Sequence, residues 1–137
     1  MTSLVTETPA AAPEIALRHF ESRLAFETDC WDVCESMKAG NPDFILVDVR
    51  GREAFAEAHV PGAINIPHRT MTKEKMARFA DGRLFVVYCA GPHCNGANKA
   101  AVRLARLGYR VKEMIGGVAG WRDEGFPFES GRDSAAA

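Results

Sequence analysis

Residues 84–96 read Leu-Phe-Val-Val-Tyr-Cys-Ala-Gly-Pro-His-Cys-Asn-Gly, and this stretch decides the prediction of the fold. Its first five residues are apolar without alternation, which is typical of a strand buried on both faces of a parallel sheet. Cys89 follows the strand directly, and two glycines in the next seven residues indicate a loop. Apolar residues then recur at helical spacing from Ala97 to Leu107, and Gly108 ends the helix. The order of strand, loop and helix predicts one unit of an α/β sheet.

The rest of the chain continues the same alternation of apolar strands and helices. The clearest example is the apolar run from Phe44 to Val47, which lies between turn residues. The predicted strands are 24–26, 44–47, 63–66, 84–88 and 111–115. The predicted helices are 14–23, 30–38, 52–58, 70–79, 97–107 and a short helix that ends at Trp121. This pattern predicts an α/β fold in which helices, among them an N-terminal one, cover both faces of a parallel sheet.

Length and composition limit the domain organisation and argue against some functions. With 137 residues, 47% of them hydrophobic, the chain suits one domain with one core. We expect the domain to span 14–128, between disordered segments at 1–13 and 129–137. The formal net charge of −1 argues against a nucleic-acid-binding protein and gives no reason to expect a membrane partner. The sequence also lacks an apolar run of the ~20 residues needed to span a bilayer.

The cysteines are expected to be reduced thiols. The N-terminus lacks the basic start, apolar middle and cleavage site of a secretory signal, so we expect a cytoplasmic protein. Cys30 and Cys34 lie four residues apart on a predicted helix, a spacing that zinc ligands sometimes have. Because no second ligand pair follows, we expect these side chains to pack in the core beside Trp31, and we predict no metal and no cofactor.

Cys89 is the predicted nucleophile. In open α/β sheets, ligands bind beyond the carboxyl ends of the strands, where Cys89 stands. A glycine-containing loop can turn successive backbone N–H groups toward one point, and the helix after it adds the positive end of its dipole. Such surroundings lower the pKa of a cysteine from about 8.5 to ~3.5–7.5 and favour the reactive thiolate. The predicted binding loop comprises Ala90, Gly91, Pro92, His93, Cys94, Asn95 and Gly96.

Several short motifs occur in a fixed order along the chain. They are Leu46-Val47-Asp48-Val49-Arg50, Phe55 with His59-Val60-Pro61-Gly62-Ala63-Ile64-Asn65-Ile66-Pro67, Val87-Tyr88-Cys89, Ala100-Ala101 with Leu104, Leu107-Gly108-Tyr109, and Gly116-Gly117 with Trp121. With these motifs the chain resembles a rhodanese (sulfurtransferase) domain from about Leu24 to Phe128. The resemblance implies a five-stranded parallel sheet flanked by helices and a catalytic Cys89 that carries sulfur as a persulfide. It also implies that Asp48 and Arg50 support the site without reacting.

The loop departs from the pattern of the family that the chain resembles. Family members usually have an arginine five positions after the catalytic cysteine, where this chain has Cys94, and this loop is about two residues longer. The loop contains no arginine, and its nearest cationic side chains are His93 and Lys99. Without that arginine, thiosulfate, a dianion, is less favoured as the donor. Phosphatases and arsenate reductases of the superfamily normally keep the arginine, which counts against both of these activities.

The role of each loop cysteine has alternatives. Cys89 is a nucleophile or a buried structural residue, and its position before a glycine-containing loop and a helix favours the nucleophile. Cys94 is a resolving thiol toward Cys89, a loop thiol that points elsewhere or, least favoured, the nucleophile itself with Lys99 in place of the arginine. We predict sulfur transfer from a small donor to a low-molecular-weight or protein thiol; the alternative is a non-catalytic or redox-sensing module. An oligomer is not indicated, although the N-terminal helix could pack on its own domain or mediate a dimer.

Overall fold

The strands of the protein run parallel and lie across the sheet in the order Glu27–Thr28, Val111–Met114, Leu84–Tyr88, Phe44–Asp48 and Ile64–Asn65. The computed structural model describes residues 1–132, and within them the sheet has five strands. The strands are β1 Glu27–Thr28, β2 Phe44–Asp48, β3 Ile64–Asn65, β4 Leu84–Tyr88 and β5 Val111–Met114. The central strand β4 pairs with β2 on one side and with β5 on the other. The predicted five-stranded parallel sheet is therefore confirmed.

Helices cover both faces of this sheet, as predicted. They are α1 Pro13–Phe26, α2 Cys30–Lys38, α3 Arg52–Glu57, α4 Lys73–Phe79, α5 Gly96–Arg106 and α6 Gly117–Asp123. Side chains of β4 alternate between two core clusters because successive residues of a strand point to opposite faces. Val86 and Tyr88 pack in the cluster that contains α2, α3 and α6 residues. Phe85 and Val87 pack with α4 and α5, and the side chain of Cys89 lies in that same cluster.

The register between β2 and β4 determines which groups meet at the carboxyl edge of the sheet. Val47 pairs with Val87, and Asp48 pairs with Tyr88. Both members of the second pair are the last residues of their strands. The carboxylate of Asp48 and the phenol of Tyr88 therefore lie at the edge where Cys89 leaves the sheet.

The strand predicted at 24–26 is wrong. These residues are the last turn of α1, which ends at Phe26, and β1 follows immediately. The N–H of Glu27 still donates to the carbonyl of Arg23, and the two side chains form an ion pair with an Nε–Oε1 distance of 3.1 Å. These local interactions extend the helix through an apolar stretch that resembles a strand.

The helix predicted at 70–79 begins later than expected. It starts at Lys73 because the side chain of Thr72 accepts a hydrogen bond from the N–H of Lys75 and so caps the helix. A short 3-10 turn, His68–Thr70, precedes it. Thr70, the predicted first residue of the helix, is the last residue of this turn.

The buried face of α2 also differs from the prediction. Asp29 caps this helix, because its side chain accepts a hydrogen bond from the N–H of Asp32. Cys30 and Cys34 are buried, but Trp31 is 55% exposed and does not share their face. At 100° per residue, position 31 lies about a quarter-turn from position 30, so both cannot point into the core.

Helix α1 lies against the edge of the sheet and buries none of its residues. Its exposed apolar side chains include Ile15, Leu17, Phe20 and Leu24. A dimer through this helix stays a prediction. Among residues 1–132, the helices all fall short of the length and apolar character required to cross a bilayer.

Backbone hydrogen bonds continue past the predicted end of the domain at residue 128. His59 and Glu129 exchange two N–H···O bonds of 2.9 Å, and the N–H of Gly131 donates to the carbonyl of Ala56 at 2.8 Å. The hydrogen-bonded part of the chain therefore reaches Gly131. The last part of the predicted tail, 133–137, lies outside the described residues, and the predicted disorder of 1–13 stays a prediction.

The packing of α5 can be tested with two substitutions on the same helix. Leu104 is fully buried, so Leu104→Ala should lower the free energy of unfolding by about 2–5 kcal/mol. Val102 is 49% exposed, and Val102→Ala should change it by only about 0.5 kcal/mol. Urea unfolding followed by circular dichroism measures both, and equal losses would contradict the orientation of α5.

Candidate active site

The sulfur of Cys89 lies directly beyond the carboxyl end of β4. Its side chain is only 7% exposed and packs among apolar residues that include Ala97 and Ala100 of α5. The strand prediction therefore located this residue correctly in the fold. Its burial is greater than the sequence indicated, because α5 passes directly over the end of the strand.

Asp48 and Arg50 form an ion pair beside this edge of the sheet. The carboxylate of Asp48 is fully buried, and the guanidinium of Arg50 donates to it with an Nη2–Oδ2 distance of 2.7 Å. The backbone N–H of Arg50 also donates to Asp48 at 3.0 Å, and Nη2 donates to the carbonyl of Ala58 at 2.6 Å. All of these bonds join protein groups. The geometry of the pair therefore suits a structural role beside the site.

Tyr88 connects this ion pair to the opposite loop. Its hydroxyl accepts a hydrogen bond from the N–H of Val60 at 3.1 Å and shares another with Asp48. Burial and the nearby carboxylate of Asp48 raise the pKa of Tyr88 well above its usual value, so the phenol stays protonated. The buried carboxylate therefore has neighbours that donate to it, which a buried charge requires.

A tight turn brings the second loop cysteine to the first. The N–H of Cys94 donates to the carbonyl of Gly91 at 3.1 Å, which closes a four-residue turn with Pro92 in its second position, where proline is favoured. As a result the Sγ atoms of Cys89 and Cys94 are 2.7 Å apart. Both residues are free thiols, and one thiol donates its proton to the other. Of the three alternatives for Cys94, the structure rules out a thiol that points elsewhere.

Two backbone amides of the loop face the sulfur pair. The N–H of Ala90 lies within hydrogen-bonding reach of both sulfurs, and the N–H of Gly96 donates to the sulfur of Cys94. Gly96 is the first residue of α5, so its N–H belongs to the positive end of that helix. A Cβ atom at this position would lie 2.7 Å from the sulfur of Cys89, so only glycine lets the helix approach this closely. The neighbouring backbone is thus turned toward the sulfurs, as the sequence analysis expected.

The two thiols differ in acidity, and the order is the reverse of the predicted one. Burial, followed by its hydrogen bond to Cys94, raises the pKa of Cys89 to about 11. The hydrogen bond from Cys89, followed by that from the amide of Gly96, lowers the pKa of Cys94. The expectation that the loop lowers the pKa of Cys89 is therefore wrong for the resting protein. Cys94 is the more acidic thiol of the pair, because it is the more exposed sulfur and receives the hydrogen bonds.

Two cations act on the pair from different sides. The positive charge of Arg50 interacts with Cys89, and that of Lys99 contributes to the lowered pKa of Cys94. Lys99 lies one turn into α5, on the solvent-exposed side of the helix. The sequence pointed to Lys99 but not to an electrostatic role for Arg50, because the register that brings Arg50 near Cys89 comes from the pairing of β2 with β4.

The remaining residues of the loop either have exposed side chains or lie buried at the base of the loop. The side chains of Pro92, His93 and Asn95 are exposed, and Gly91 is buried against Ala119 of α6. Asn95 precedes α5 without a side-chain capping hydrogen bond. The backbone of the loop, together with the two sulfurs, therefore makes up its inner surface.

The start of α6 holds the loop from the other side. The N–H of Val118 donates to the carbonyl of Cys89 at 3.0 Å, and that of Ala119 donates to the carbonyl of Ala90 at 2.9 Å. Gly117 has a left-handed φ of +56°, and a Cβ there would overlap the carbonyl oxygen of Cys89. Glycine at position 117 therefore lets the start of α6 lie directly against the loop.

Cys30 and Cys34 lie apart from this site, in the other core cluster. The thiol of Cys30 donates to the carbonyls of Ile115 and Gly117 at 3.6 and 3.7 Å. Burial raises the pKa of Cys30 to about 11, which keeps it protonated. Within residues 1–132, His, Cys, Asp and Glu side chains do not form a group of three or more that could hold a metal ion.

Comparisons with known proteins point to one family for the chain. Residues 32–124 match the Rhodanese-like domain family. The crystal structure of the BH2092 protein from Bacillus halodurans is 43% identical, with a TM-score of 0.83 and coverage of 87% of each chain. The HTH-type transcriptional regulator Rv0324 of Mycobacterium tuberculosis is 41% identical over 87 residues, which span 63% of this chain but only 38% of the regulator. Thiosulfate sulfurtransferase GlpE of Actinobacillus succinogenes is 30% identical over 105 residues, 73% of this chain and 84% of that enzyme.

The contact between α6 and the loop can be tested by placing a methyl group at Gly117. Gly117→Ala should lower the free energy of unfolding by more than Gly108→Ala does. Both positions have a left-handed φ, which costs alanine about 1–3 kcal/mol, but Gly108 has open space around it. Urea unfolding of the two variants gives the difference, and equal values would contradict the close approach at Gly117.

The acidity of Cys94 should depend on the thiol that donates to it. Cys89→Ala removes the donor and should raise the pKa of Cys94, whereas Cys89→Ser keeps a hydroxyl donor and should raise it less. In the wild type, alkylation of Cys94 by iodoacetamide should extend to lower pH than for an ordinary thiol. The pH dependence of alkylation, followed by peptide mass spectrometry, measures all three proteins. The same profile in each would show that the contact between the sulfurs does not determine the acidity of Cys94.

Proposed function

The chain belongs to the rhodanese-like domain family, and we propose that it acts as a sulfurtransferase that carries sulfane sulfur as a persulfide on Cys89. The similarity to a thiosulfate sulfurtransferase over most of that enzyme's length supports the transferase class. Both cysteines of the pair must be reduced for this reaction, so we also propose a reducing compartment such as the cytoplasm.

The observation that carries the proposal is the position of the Cys89 sulfur. It lies at the carboxyl end of the central strand, beside the amide of Ala90 and in contact with the sulfur of Cys94. Backbone amides that point at a sulfur stabilise negative charge there without a change of geometry. A persulfide is anionic at neutral pH and would benefit from the same groups.

The first step needs Cys89 as a nucleophile, and Cys94 can act as its base. The Cys89 thiol passes its proton to the Cys94 thiolate, with which it is already hydrogen-bonded. The sulfur of Cys89 then forms a bond to the outer sulfur of a donor R–S–SH, and the S–S bond of the donor breaks. The leaving thiolate takes its electron pair and receives the proton from Cys94, which returns to the thiolate form.

The second step transfers the sulfur. An acceptor thiolate attacks the outer sulfur of the Cys89 persulfide, the bond between Cys89 and that sulfur breaks, and Cys89 leaves as a thiolate. The proton given up by the acceptor restores its thiol. Cys94 lies on the solvent side of Cys89, so donor and acceptor would approach over Cys94.

The charges around the pair favour some donors over others. The place of the family arginine is taken by Cys94, whose thiolate would repel a dianion such as thiosulfate. Lys99 offsets only part of this charge. We therefore propose low-molecular-weight or protein persulfides as the donors.

A redox-sensing module is the second candidate function, and the 2.7 Å contact between the sulfurs favours it. An oxidant such as peroxide would convert the Cys89–Cys94 pair into a disulfide without any transfer of sulfur. A reversible loss of two thiols after mild peroxide, in a protein that accepts no sulfur from any donor, would favour this candidate.

Sulfur uptake at Cys89 is tested most directly in a protein without Cys94. Cys94→Ser incubated with glutathione persulfide should gain one sulfur atom in its intact mass, more slowly than a protein that keeps the base, and should retain it because a persulfide on Cys89 then has no neighbouring thiol. The double variant Cys89→Ser, Cys94→Ser should gain none. The matched control is Cys34→Ala, Cys94→Ser, which removes a buried thiol of the other cluster and should still gain sulfur. Equal gain with and without Cys89 would refute the proposed carrier.

A further inference from the structure

The loop cysteine that replaces the family arginine has a position that sulfur transfer alone does not require. Its Sγ is in contact with the Sγ of Cys89, which becomes the inner sulfur of a persulfide. Reacting atoms about 3–3.5 Å apart are already close to an attacking geometry, and 2.7 Å lies inside that distance. A disulfide needs a separation of about 2.05 Å, so a small movement of the loop suffices.

We propose that Cys94 attacks the inner sulfur of the Cys89 persulfide, which releases hydrosulfide and leaves a Cys89–Cys94 disulfide. This inference rests on the proposed function, since it requires the persulfide to form. It assigns the protein a further activity, the reduction of sulfane sulfur to hydrosulfide by the enzyme's own pair of thiols.

The step balances without an outside oxidant. The Cys94 thiolate forms a bond to Cys89 Sγ, and the bond between that atom and the outer sulfur breaks. The outer sulfur leaves as HS− with the electron pair, so it gains two electrons, and the two cysteines together lose two. A dithiol of the cell or of a protein reductant then reduces the disulfide by thiol–disulfide exchange and restores both thiols.

The properties of Cys94 suit this role. It is the more acidic thiol of the pair, and the turn closed by its N–H and the carbonyl of Gly91 places its sulfur 2.7 Å from that of Cys89. Its sulfur is partly exposed, which gives a reductant access to the disulfide, whereas Cys89 is buried. Attack at the outer sulfur would only move the sulfane atom to Cys94, but the contact is with the inner one.

The internal attack competes with an external acceptor. A thiol acceptor at high concentration should remove the outer sulfur before Cys94 reacts, and sulfide release should then fall. With no acceptor present, the wild-type protein should complete one internal turnover and stop as the disulfide. The same site would thus act as a transferase or a reductase according to the supply of acceptor.

The experiment follows a single turnover of the full chain with glutathione persulfide after removal of excess reductant. Wild type should release about one equivalent of sulfide and lose two thiols, and its intact mass should correspond to the disulfide. Cys94→Ser and Cys94→Ala should keep the persulfide. Their rate of sulfide release should be lower than that of wild type by a factor of about 10² or more, because the intramolecular thiol is lost. Cys34→Ala should behave like wild type.

The outcomes separate this inference from the proposed function. A wild-type persulfide that lasts as long as that of Cys94→Ser, or one found on Cys94 without sulfide release, would overturn the reductase step and leave sulfur transfer in place. Failure of Cys94→Ser to gain sulfur even on long incubation at about pH 10, where part of Cys89 ionises without a base, would overturn the carrier role of Cys89, and the inference with it. Addition of dithiothreitol after the turnover should return the wild type to its original mass, whereas a mass that does not return would exclude a disulfide product.

Discussion

The acidity of both loop cysteines depends on the hydrogen bond between their sulfur atoms. Cys89 is buried at the end of the central strand, which raises its pKa, and Cys94, whose sulfur lies 2.7 Å away, is the more acidic of the two thiols. Neither thiol would have these properties alone, since a buried cysteine is inert and an exposed one has ordinary acidity. The loop, the strand and the start of α5 all contribute to holding the two sulfurs in contact.

The neighbouring ion pair of Asp48 and Arg50 reduces the electrostatic cost of a thiolate at Cys89. Asp48 ends the strand beside β4, and its charge alone would disfavour a thiolate at Cys89. Arg50 neutralises that carboxylate with a two-point contact and brings a positive charge toward the sulfur. Tyr88 links the same carboxylate to the opposite loop. The motif that contains Asp48 and Arg50 thus places two opposite charges near Cys89, and the parallel register between β2 and β4 determines their position.

The sequence predicted the parts of this protein that depend on local pattern. Strand β4 and helix α2 have the predicted bounds, because an unbroken apolar run and an Asp cap are local signals. The strand at 24–26 was wrong because an ion pair one turn away prolongs a helix through apolar residues. The position of Cys89 followed from the strand, but its acidity did not, since burial by α5 is a tertiary effect. The sequence left three alternatives for Cys94. Its contact with Cys89 depends on the turn that the carbonyl of Gly91 closes, and the sequence did not predict this turn.

The start of α6 supports the cysteine loop through main-chain groups alone. Val118 and Ala119 donate their N–H groups to the carbonyls of Cys89 and Ala90, so the identity of their side chains does not enter these bonds. Apart from Pro92, the exposed side chains of the loop, those of His93 and Asn95, take no part in these bonds. Substitutions at these positions can therefore change the outer surface of the loop while the scaffold under the sulfurs keeps its shape. A laboratory library restricted to those outer positions would sample new specificities at little risk to the architecture.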